Sequence, residues 1–519
     1  MMRKTGLALG LLSFVLLSTS AFAADATSAS CDLGYELPAD ISLWLPTSRP
    51  AEAQGEFDQL SWNTFLALNA PRVGAKPSLL GDNPTQWDRW SSTVDLIQCQ
   101  NDPSDCFCAE GQCGSGDQYY PPACQAIPDF QNYRVLAQLS KIDDSFLEAG
   151  RGELSNHPVI DANGKFVRYE ILLNPVAYDF VTDNRLYNKA GLSSLRQPII
   201  FPCGDFTYQG GDPADPRMGA MVLKAAWMEY EDQSRATPFA LGPYHTEEML
   251  VFSPADRSVT GVASCEIKTM ALIGMHIAHK TVRQPGWIWS TFEHRMNAPE
   301  CTSLPPQGDQ EGSGPNINCP TSVDRGYNLF AEECSDGAAG SAACQSCNQV
   351  PVSNSPDPQQ VCTSSELSGG SSDNTGWCLD LPPAAEQGKS KLCRQVPLSV
   401  GYPTAHALNQ SCAAQLGRQS VWSNYQLIST QWINQGSMTC QNGVAAPGRS
   451  REAILPQVFL LANGSEPQLR PYLANSSMES YGRSNCIGCH IQAAIKNAVN
   501  TKLSTDLMYW LQLEAFPTE

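Results

Sequence analysis

Residues 486–490 read Cys486-Ile487-Gly488-Cys489-His490, two cysteines separated by two residues and followed at once by a histidine. This C-x-x-C-H pattern is typical of the attachment of a c-type haem. The spacing follows from the chemistry, because each thiol bonds to one vinyl group on the same edge of the porphyrin and the histidine then lies beneath the iron. The pattern predicts one covalent haem c, held by Cys486 and Cys489, with His490 as the proximal ligand of the iron.

Three other interpretations of these residues stay open in the sequence: a disulfide between the two cysteines, half of a zinc site, and chance. A zinc site needs a second pair of ligands. The other C-x-x-C in the chain runs from Cys344 to Cys347 and is followed by Asn348 instead of a histidine. Haem attachment is therefore the interpretation that the sequence favours.

The start of the chain, at 1–23, has the three parts of a secretory signal peptide. Arg3 and Lys4 form a positive start, residues 7–17 are apolar, and Ala21-Phe22-Ala23 is a small-x-small cleavage site. The apolar run is too short to span a membrane, and no later run approaches the required length. We therefore expect an exported bacterial protein, periplasmic or secreted, without a transmembrane anchor. Export agrees with the haem motif, because bacteria attach haem covalently to such motifs only after export.

Composition and charge restrict the class of protein. The chain has 519 residues, of which 42% are hydrophobic and 16% charged, so it can bury a sizeable core. Its formal net charge of −19 opposes binding to nucleic acid or to anionic lipid, which depends on clustered Lys and Arg. The same charge would favour a basic redox partner protein, although many exported proteins are acidic without one.

Twenty cysteines in an exported chain predict disulfides. Apart from the two haem cysteines, eighteen remain, which is enough for nine bridges. Five of them lie within residues 99–124 and eight within residues 301–393. Both stretches are rich in Gly, Ser, Pro, Asp and Asn, a composition that cannot order itself by hydrophobic burial. We interpret them as loop-like insertions held by cross-links.

The sequence predicts an α+β fold. We expect a large single body of antiparallel strands and helices, with disulfide-stapled loop insertions and a C-terminal helical segment that carries the haem motif. The expected divisions are a signal peptide at 1–23, an α+β body at 24–300 with a cysteine-rich loop at 99–124, a cysteine-rich insertion at 301–393, and a helical region at 394–519.

Apolar spacing and β-branched runs predict the individual elements. Apolar residues at 57, 60, 65 and 68 predict an amphipathic helix. Strands are expected at 249–254, at 265–280 and into 287–294, a strand and then a turn within 166–181, and a strand entering a helix at 218–230. Further helices are expected at 405–416, 421–432, 491–499 and 505–513.

Six stretches resemble a group of exported bacterial proteins that are called cytochrome c family proteins and have no assigned reaction. The resemblance covers most of the chain outside the two cysteine-rich stretches, and it is carried by residues 61–69, 223–227, 273–281, 287–297, 484–490 and 506–511. It implies a single c-type haem held by Cys486, Cys489 and His490, and it implies no substrate. Met508 stands where those relatives are expected to carry a small polar residue, which argues against it as an iron ligand.

The walls of a haem pocket have to come from the body of the chain. Only the short stretch 491–519 follows His490, and two short helices cannot enclose a porphyrin. The sixth ligand of the iron is then expected upstream, where the candidates are His157, His245, His276, His279, His294 and His406.

His276 is our prediction for the distal ligand, and His279 is the alternative. Both end an apolar run, where a histidine needs a partner or a ligand more than it does in a polar loop. In a strand the two side chains point to opposite faces. We expect His276 to share its face with Leu272, Gly274 and Ala278, where small neighbours leave room for a flat ring. A helix would place both histidines on one face, and a hydrogen-bonded structural role is an equally open interpretation of either.

Other residues are weaker candidates for contact with a haem. Trp287 and Trp289 are candidates to line its edge, although a place in the core is the commoner role for tryptophan. Lys280, Arg283 and Arg483 are candidates to pair with its propionates, with solvation at the surface as the alternative.

Two classes of function follow from a single haem. The first is electron transfer, in which two protein ligands saturate the iron. The second is a haem enzyme, oxidase-like or peroxidase-like, that acts on an unknown small molecule at an open sixth position. The length of the chain favours an enzyme, since a simple carrier needs about a hundred residues. A disulfide-stapled binding protein with a structural haem is a third interpretation, and electron transfer is the one that we carry forward.

Overall fold

A computed structural model gives the fold. It describes residues 31, 33, 36–41, 50–70, 85–102, 106–107, 116–136, 158–212, 215–230, 244–258, 260–302, 317–320, 323, 326–331, 346–348, 390–394, 397–418, 420–432, 439–441, 443–446, 473, 475–479, 486–490 and 493–513. The predicted signal peptide, His157, Arg483, Cys344 and most of the stretch 301–393 lie outside the described residues.

Helices and strands alternate along the chain, which confirms the α+β class. The helices are α1 (Pro50–Asn69), α2 (Thr93–Asn101), α3 (Pro122–Gln125), α4 (Pro175–Asp183), α5 (Lys189–Ser194), α6 (Leu398–Gly401), α7 (Pro403–Leu416), α8 (Cys486–His490) and α9 (Tyr509–Leu513). The strands are β1 (Ser91–Ser92), β2 (Cys106–Phe107), β3 (Gln118–Tyr119), β4 (Arg134–Leu136), β5 (Arg168–Leu173), β6 (Met221–Glu229), β7 (Thr246–Ser253), β8 (Ser264–His279), β9 (Ile288–His294), β10 (Ile317–Asn318), β11 (Ser346–Cys347), β12 (Tyr425–Trp432), β13 (Thr439–Gln441), β14 (Val444–Ala446), β15 (Ala494–Lys496) and β16 (Lys502–Ser504).

An eight-stranded sheet is built around β8. One edge of β8 pairs with β6, and the other edge pairs first with β7 and then with β9. From β6 the sheet continues through β5 to β1, from β7 to β4, and from β9 to β12. All of these pairs are antiparallel except that of β4 with β7. The last ten residues of β8 are buried because elements cover both faces of the sheet there.

The two faces of the sheet carry different layers. The helix face, with Leu223, Met275 and Phe292, packs in one core with side chains of α1 and α7. The C-terminal face, with Val222, Ala278 and Trp289, packs in a second core with side chains of α8 and α9. Strand alternation assigns a residue to one face or the other, because neighbouring side chains point to opposite sides.

A β-bulge in β8 changes that assignment at one point. The pairing with β6 passes over Ile273, which is therefore an extra residue. Leu272 consequently packs in the core of the helix face, and Ile273 packs in a different cluster. The expectation that Leu272 shares a face with His276 is wrong because alternation cannot be counted through a bulge.

Several predicted elements differ in the structure. Residues 421–432 form one turn of 3₁₀-helix and then β12, because pairing with β9 overrides the helical spacing. Residues 221–229 are strand throughout. The turn expected after Asn174 is the start of α4, since Asn174 caps that helix by accepting from the Ala177 N–H. The helices predicted at 57–69 and 405–416 and the strand at 265–280 are confirmed.

The C-terminal segment is only partly helical. The helix predicted at 491–499 is a hairpin of β15 and β16, and the last helix is limited to α9. Asn497 explains the hairpin, because its side-chain oxygen accepts from the N–H groups of Val499 and Thr501 and closes the turn. The expectation of a wholly helical region after the insertions is therefore wrong.

Disulfides are confirmed. The described residues contain six of them, which join residues 31 and 412, 99 and 106, 124 and 265, 203 and 440, 301 and 393, and 319 and 347. They fit an oxidising compartment outside the cytoplasm. Within the described ranges, no helix has the length and apolar character needed to cross a membrane.

Candidate haem site

Helix α8 holds the C-x-x-C-H motif against the C-terminal face of the sheet. Ile487 is fully buried, and its N–H donates to the Gln431 side chain of β12 at 3.4 Å. Cys486 is half-buried and packs against both cores of the sheet. The backbone of Cys489 belongs to α8, whereas its side chain lies outside the described residues. The motif therefore opens onto a wall formed by the sheet.

His490 is held by a backbone carbonyl. Its Nδ1 lies 2.7 Å from the carbonyl oxygen of Leu507. A carbonyl only accepts, so Nδ1 carries the proton and Nε2 keeps the lone pair that a metal needs. The imidazole also lies against the Trp289 ring, with centroids 4.4 Å apart and the planes tilted by 48°, and its centroid is 5.4 Å from that of Tyr509. This is the arrangement expected of a ligating histidine whose second nitrogen fixes its orientation.

The Leu507 carbonyl is presented by an unusual turn at residues 505–508. Asp506 and Leu507 have φ of 52° and 70°, a left-handed conformation that non-glycine residues rarely adopt twice in succession. The turn is closed by the Met508 N–H, which donates to the carbonyl of Thr505, and by the Thr505 hydroxyl, which donates to the carbonyl of Met508. Such backbone conformations persist only when surrounding contacts determine them.

Lys280 and Trp287 supply those contacts. Lys280 Nζ is fully buried and donates to Asp506 Oδ2 at 2.5 Å and to the Phe201 carbonyl at 3.2 Å. Trp287 Nε1 donates to the Asp506 carbonyl at 2.8 Å, and the Phe201 N–H donates to Asp506 Oδ2 at 2.8 Å. Lys280 is therefore neither exposed nor open to a propionate, because Asp506 already balances its charge.

Arg283 is also occupied elsewhere. Its backbone N–H donates to Asp40, and its guanidinium donates to the Ile41 carbonyl at 2.7 Å. The side chain is about one third exposed, in agreement with the surface role that we gave as the alternative.

Two indole N–H groups in the core that packs against α8 test whether a haem fits. Trp289 is 7% exposed and Trp510 3%, and neither Nε1 has a hydrogen-bond partner among the described residues. A buried indole N–H normally finds an acceptor. A haem carries two propionate carboxylates, which are strong acceptors. The donors at this wall, together with the ligand geometry of His490, fit a c-type haem bound at α8.

A polar segment crosses the same sheet face beside the motif. Asn475 Nδ2 donates to the Phe292 carbonyl at 2.7 Å, and the Ser476 hydroxyl donates to Glu293 at 2.6 Å. The segment passes directly over Gly274, where an added Cβ would stand 2.1 Å from Ser477 Oγ. Only glycine permits this approach, which brings Glu479 to the sheet.

The structure separates the two candidate distal histidines by face. His276 lies opposite Lys224 on β6 and Thr291 on β9, on the face that also carries Trp289. Its Nε2 is 3.0 Å from Glu479 Oε1. His279 points to the opposite face, where burial lowers the pKa of its imidazole to about 4. Its Nδ1 has no partner within the described part of the chain. His276 thus lies on the sheet face that also carries Trp289, and its ligation of iron stays a prediction.

The remaining histidines have other surroundings. His245 lies 2.9 Å from Glu247 and stacks on Trp422, and His294 is fully buried against Tyr244. His406 is half-buried and bonds to a side chain of its own helix. Hydrogen bonding accounts for His245 and His406, whereas His294 accepts from the Met296 N–H at Nδ1 and its Nε2 has no partner among the described residues.

The sequence did not indicate one cluster of charged residues. The Arg134 guanidinium forms ion pairs with Glu170 at 3.2 Å and with Glu247 at 2.8 Å, and it lies 5.0 Å from the centre of the Trp87 ring. Trp227 Nε1 also donates to Glu170, at 2.8 Å. These residues come from separate strands, so no local spacing could have indicated the cluster. The role of the Leu507 carbonyl as acceptor for His490 could not be predicted either, since every residue has a backbone carbonyl.

Comparisons of the chain with protein-family models, with curated proteins and with solved structures gave no match.

Proposed function

We propose that this protein is an exported, periplasmic or secreted bacterial cytochrome with one covalent haem c, which transfers electrons to or from a partner protein. Membership of the exported cytochrome c family proteins is part of the same proposal. The observation that carries it is the hydrogen bond of 2.7 Å from His490 Nδ1 to the Leu507 carbonyl, directly after a C-x-x-C pair. It leaves Nε2 as the ligating atom at the point where the motif requires one.

Each residue has a defined part in the proposal. A c-type haem, when bound, carries one electron through the change in oxidation state of its iron. Cys486 and Cys489 would hold the ring through thioether bonds, and His490 would ligate through Nε2. Trp289 and the side chains of α9 exclude water from that side of the site, which favours a stable potential.

Covalent attachment is the decisive test. The mature protein, produced in a bacterium competent for c-type haem attachment, should stain for haem on a denaturing gel. Cys486→Ala combined with Cys489→Ala should abolish the stain. The matched control is Cys319→Ala with Cys347→Ala, which removes a disulfide of the structure and leaves the motif intact. An unstained wild-type band would refute the proposal.

The contact between His276 and Glu479 favours a second candidate function, that of a haem enzyme. A ring nitrogen that bonds to a carboxylate cannot ligate iron at the same time. If that contact persists in the loaded protein and no other nitrogen or side chain ligates the iron, the sixth position is open to a small molecule. A spectrum of the reduced protein with and without carbon monoxide separates the two functions. Rapid and complete binding of carbon monoxide favours the enzyme, and its absence favours electron transfer.

A further inference from the structure

We propose that Lys280 and Asp506 are the positioning residues of His490. Their buried pair fixes the turn at residues 505–508, and the turn fixes the Leu507 carbonyl that orients the imidazole. The inference rests on the proposed function, because it explains how this chain would prepare its iron ligand, and it concerns a lysine far from the motif in sequence.

The first step is the anchoring of Lys280 in the sheet. Its backbone N–H donates to the Ala220 carbonyl at 3.1 Å. At Gly219, an added Cβ would lie 1.8 Å from the Lys280 carbonyl oxygen, so the two backbones are in close contact. The ammonium group lies 5.1 Å from the Trp287 ring. Lys280 is thus held at its backbone and at its charged end, and it forms a fixed point on the sheet.

The second step is the attachment of the turn at residues 505–508 to Lys280 and its neighbours. Asp506 Oδ2 accepts from Lys280 Nζ and from the Phe201 N–H, while its carbonyl accepts from Trp287. Three donors from two different segments therefore determine the position of one residue. This is sufficient to hold Asp506 and Leu507 in the left-handed conformation, which would otherwise be unfavourable.

The third step is the effect on His490. An imidazole in water prefers the tautomer with the proton on Nε2, which blocks the ligating nitrogen. The Leu507 carbonyl selects the other tautomer, because it accepts a hydrogen bond from the Nδ1–H at 2.7 Å. A second-sphere acceptor of this kind also raises the basicity of the ligating nitrogen. Loss of the Lys280–Asp506 pair should therefore release the tautomer preference and weaken the imidazole as a donor.

The test begins with protein that carries no haem. In the Cys486→Ala, Cys489→Ala background, selective ¹⁵N labelling of histidine shows by NMR which ring nitrogen of each imidazole carries the proton. His490→Gln assigns the signal. We expect the Nδ1–H form for His490, and a shift towards the Nε2–H form in Lys280→Met and in Asp506→Asn. Wild-type-like His490 signals in both variants would overturn the proposal.

Two further variants separate positioning from stability. Arg134→Met removes another largely buried cation, on the edge strand β4, so it should lower stability and leave the His490 signals unchanged. Lys280→Met with Asp506→Asn removes both charges, so stability should recover relative to the single variants while the tautomer stays altered. Recovery of the wild-type tautomer in that double variant would show that the pair is only structural.

The haem-loaded protein gives an independent measurement. A less basic ligand stabilises the ferric state less, so the reduction potential of Lys280→Met should rise relative to wild type and to Arg134→Met. An unchanged potential counts against the inference. If wild-type protein attaches no haem but the tautomer shifts as expected, the proposed function fails and the positioning role stands.

Discussion

Glu170 should lower the stability of the protein above neutral pH. It lies in the buried cluster with Arg134 and Glu247, where burial raises its pKa from 4.5 to about 7. A raised pKa means that the folded state binds the proton more tightly than the unfolded state does. The stabilising contribution is therefore fully present below pH 4.5 and is lost as the pH rises to about 7.

The size of the effect follows from that difference in pKa. One pKa unit corresponds to about 1.4 kcal/mol, so ionisation of Glu170 in the folded state costs about 3 kcal/mol at pH 8. Glu170→Gln keeps an oxygen that can accept from Trp227 Nε1 and removes the charge. Arg134 retains its pair with Glu247, whose pKa is held down near 2 by Arg134. The variant should thus be more stable than wild type at pH 8 and no more stable at pH 4.

Urea unfolding with the disulfides intact, at several pH values from 4 to 8, measures this difference. Glu248→Gln is the matched control, because Glu248 neighbours the cluster on β7 but its side chain is exposed. The control should show a difference from wild type that changes little with pH. A Glu170→Gln variant that is less stable than wild type at pH 8, or a difference that does not grow with pH, would refute the reasoning.

Three further predictions concern the site and the cysteines. His276→Ala should convert a low-spin, six-coordinate haem spectrum into a high-spin one that binds carbon monoxide, and an unchanged low-spin spectrum would rule out His276 as the ligand. Gly274→Val should displace Ser477 by steric overlap and lower the free energy of unfolding by about 1–3 kcal/mol. The same substitution at the uncrowded Gly55 of α1 should be neutral or slightly stabilising, because valine has a higher helix propensity than glycine, and equal losses at both positions would contradict the crowding. Thiol titration of denatured, non-reduced protein should find little or no free thiol, and four or more would reopen a metal-binding role for Cys344 and Cys347.

Local periodicity predicted the elements whose surroundings match their sequence. Helix α1 was visible because its apolar positions at 57, 60, 65 and 68 all face buried cores. Strand β8 was visible because its last ten residues are apolar or glycine except for His276 and His279, and all ten are buried. Strand β12 was misread as a helix, since its conformation depends on pairing with β9, which lies much earlier in the chain.

The candidate haem site likewise contains residues that the sequence could indicate and residues that it could not. The residues that would bond to the haem are adjacent in the chain, so a five-residue pattern could predict them. The preference for His276 over His279 rests on the alternation of side chains in a strand and stays a prediction, and the bulge at Ile273 shows that such alternation cannot be counted through every strand. The turn that holds His490 could not be predicted, because its determinants are a backbone carbonyl and a lysine from a distant part of the sequence.

The contacts between the motif region and residues far away in the sequence offer a reason why the chain is much longer than a simple electron carrier. Helix α8 and the turn at residues 505–508 have no core of their own. Their contacts go to the sheet: His490 to Trp289, Asp506 to Lys280, and Ile487 to Gln431. A segment whose side chains pack on another element cannot keep its conformation without that element. In the proposed haem site, the C-x-x-C-H motif would form one wall and the sheet would complete it, so the sheet and the helices that cover its other face would account for part of the length of the chain.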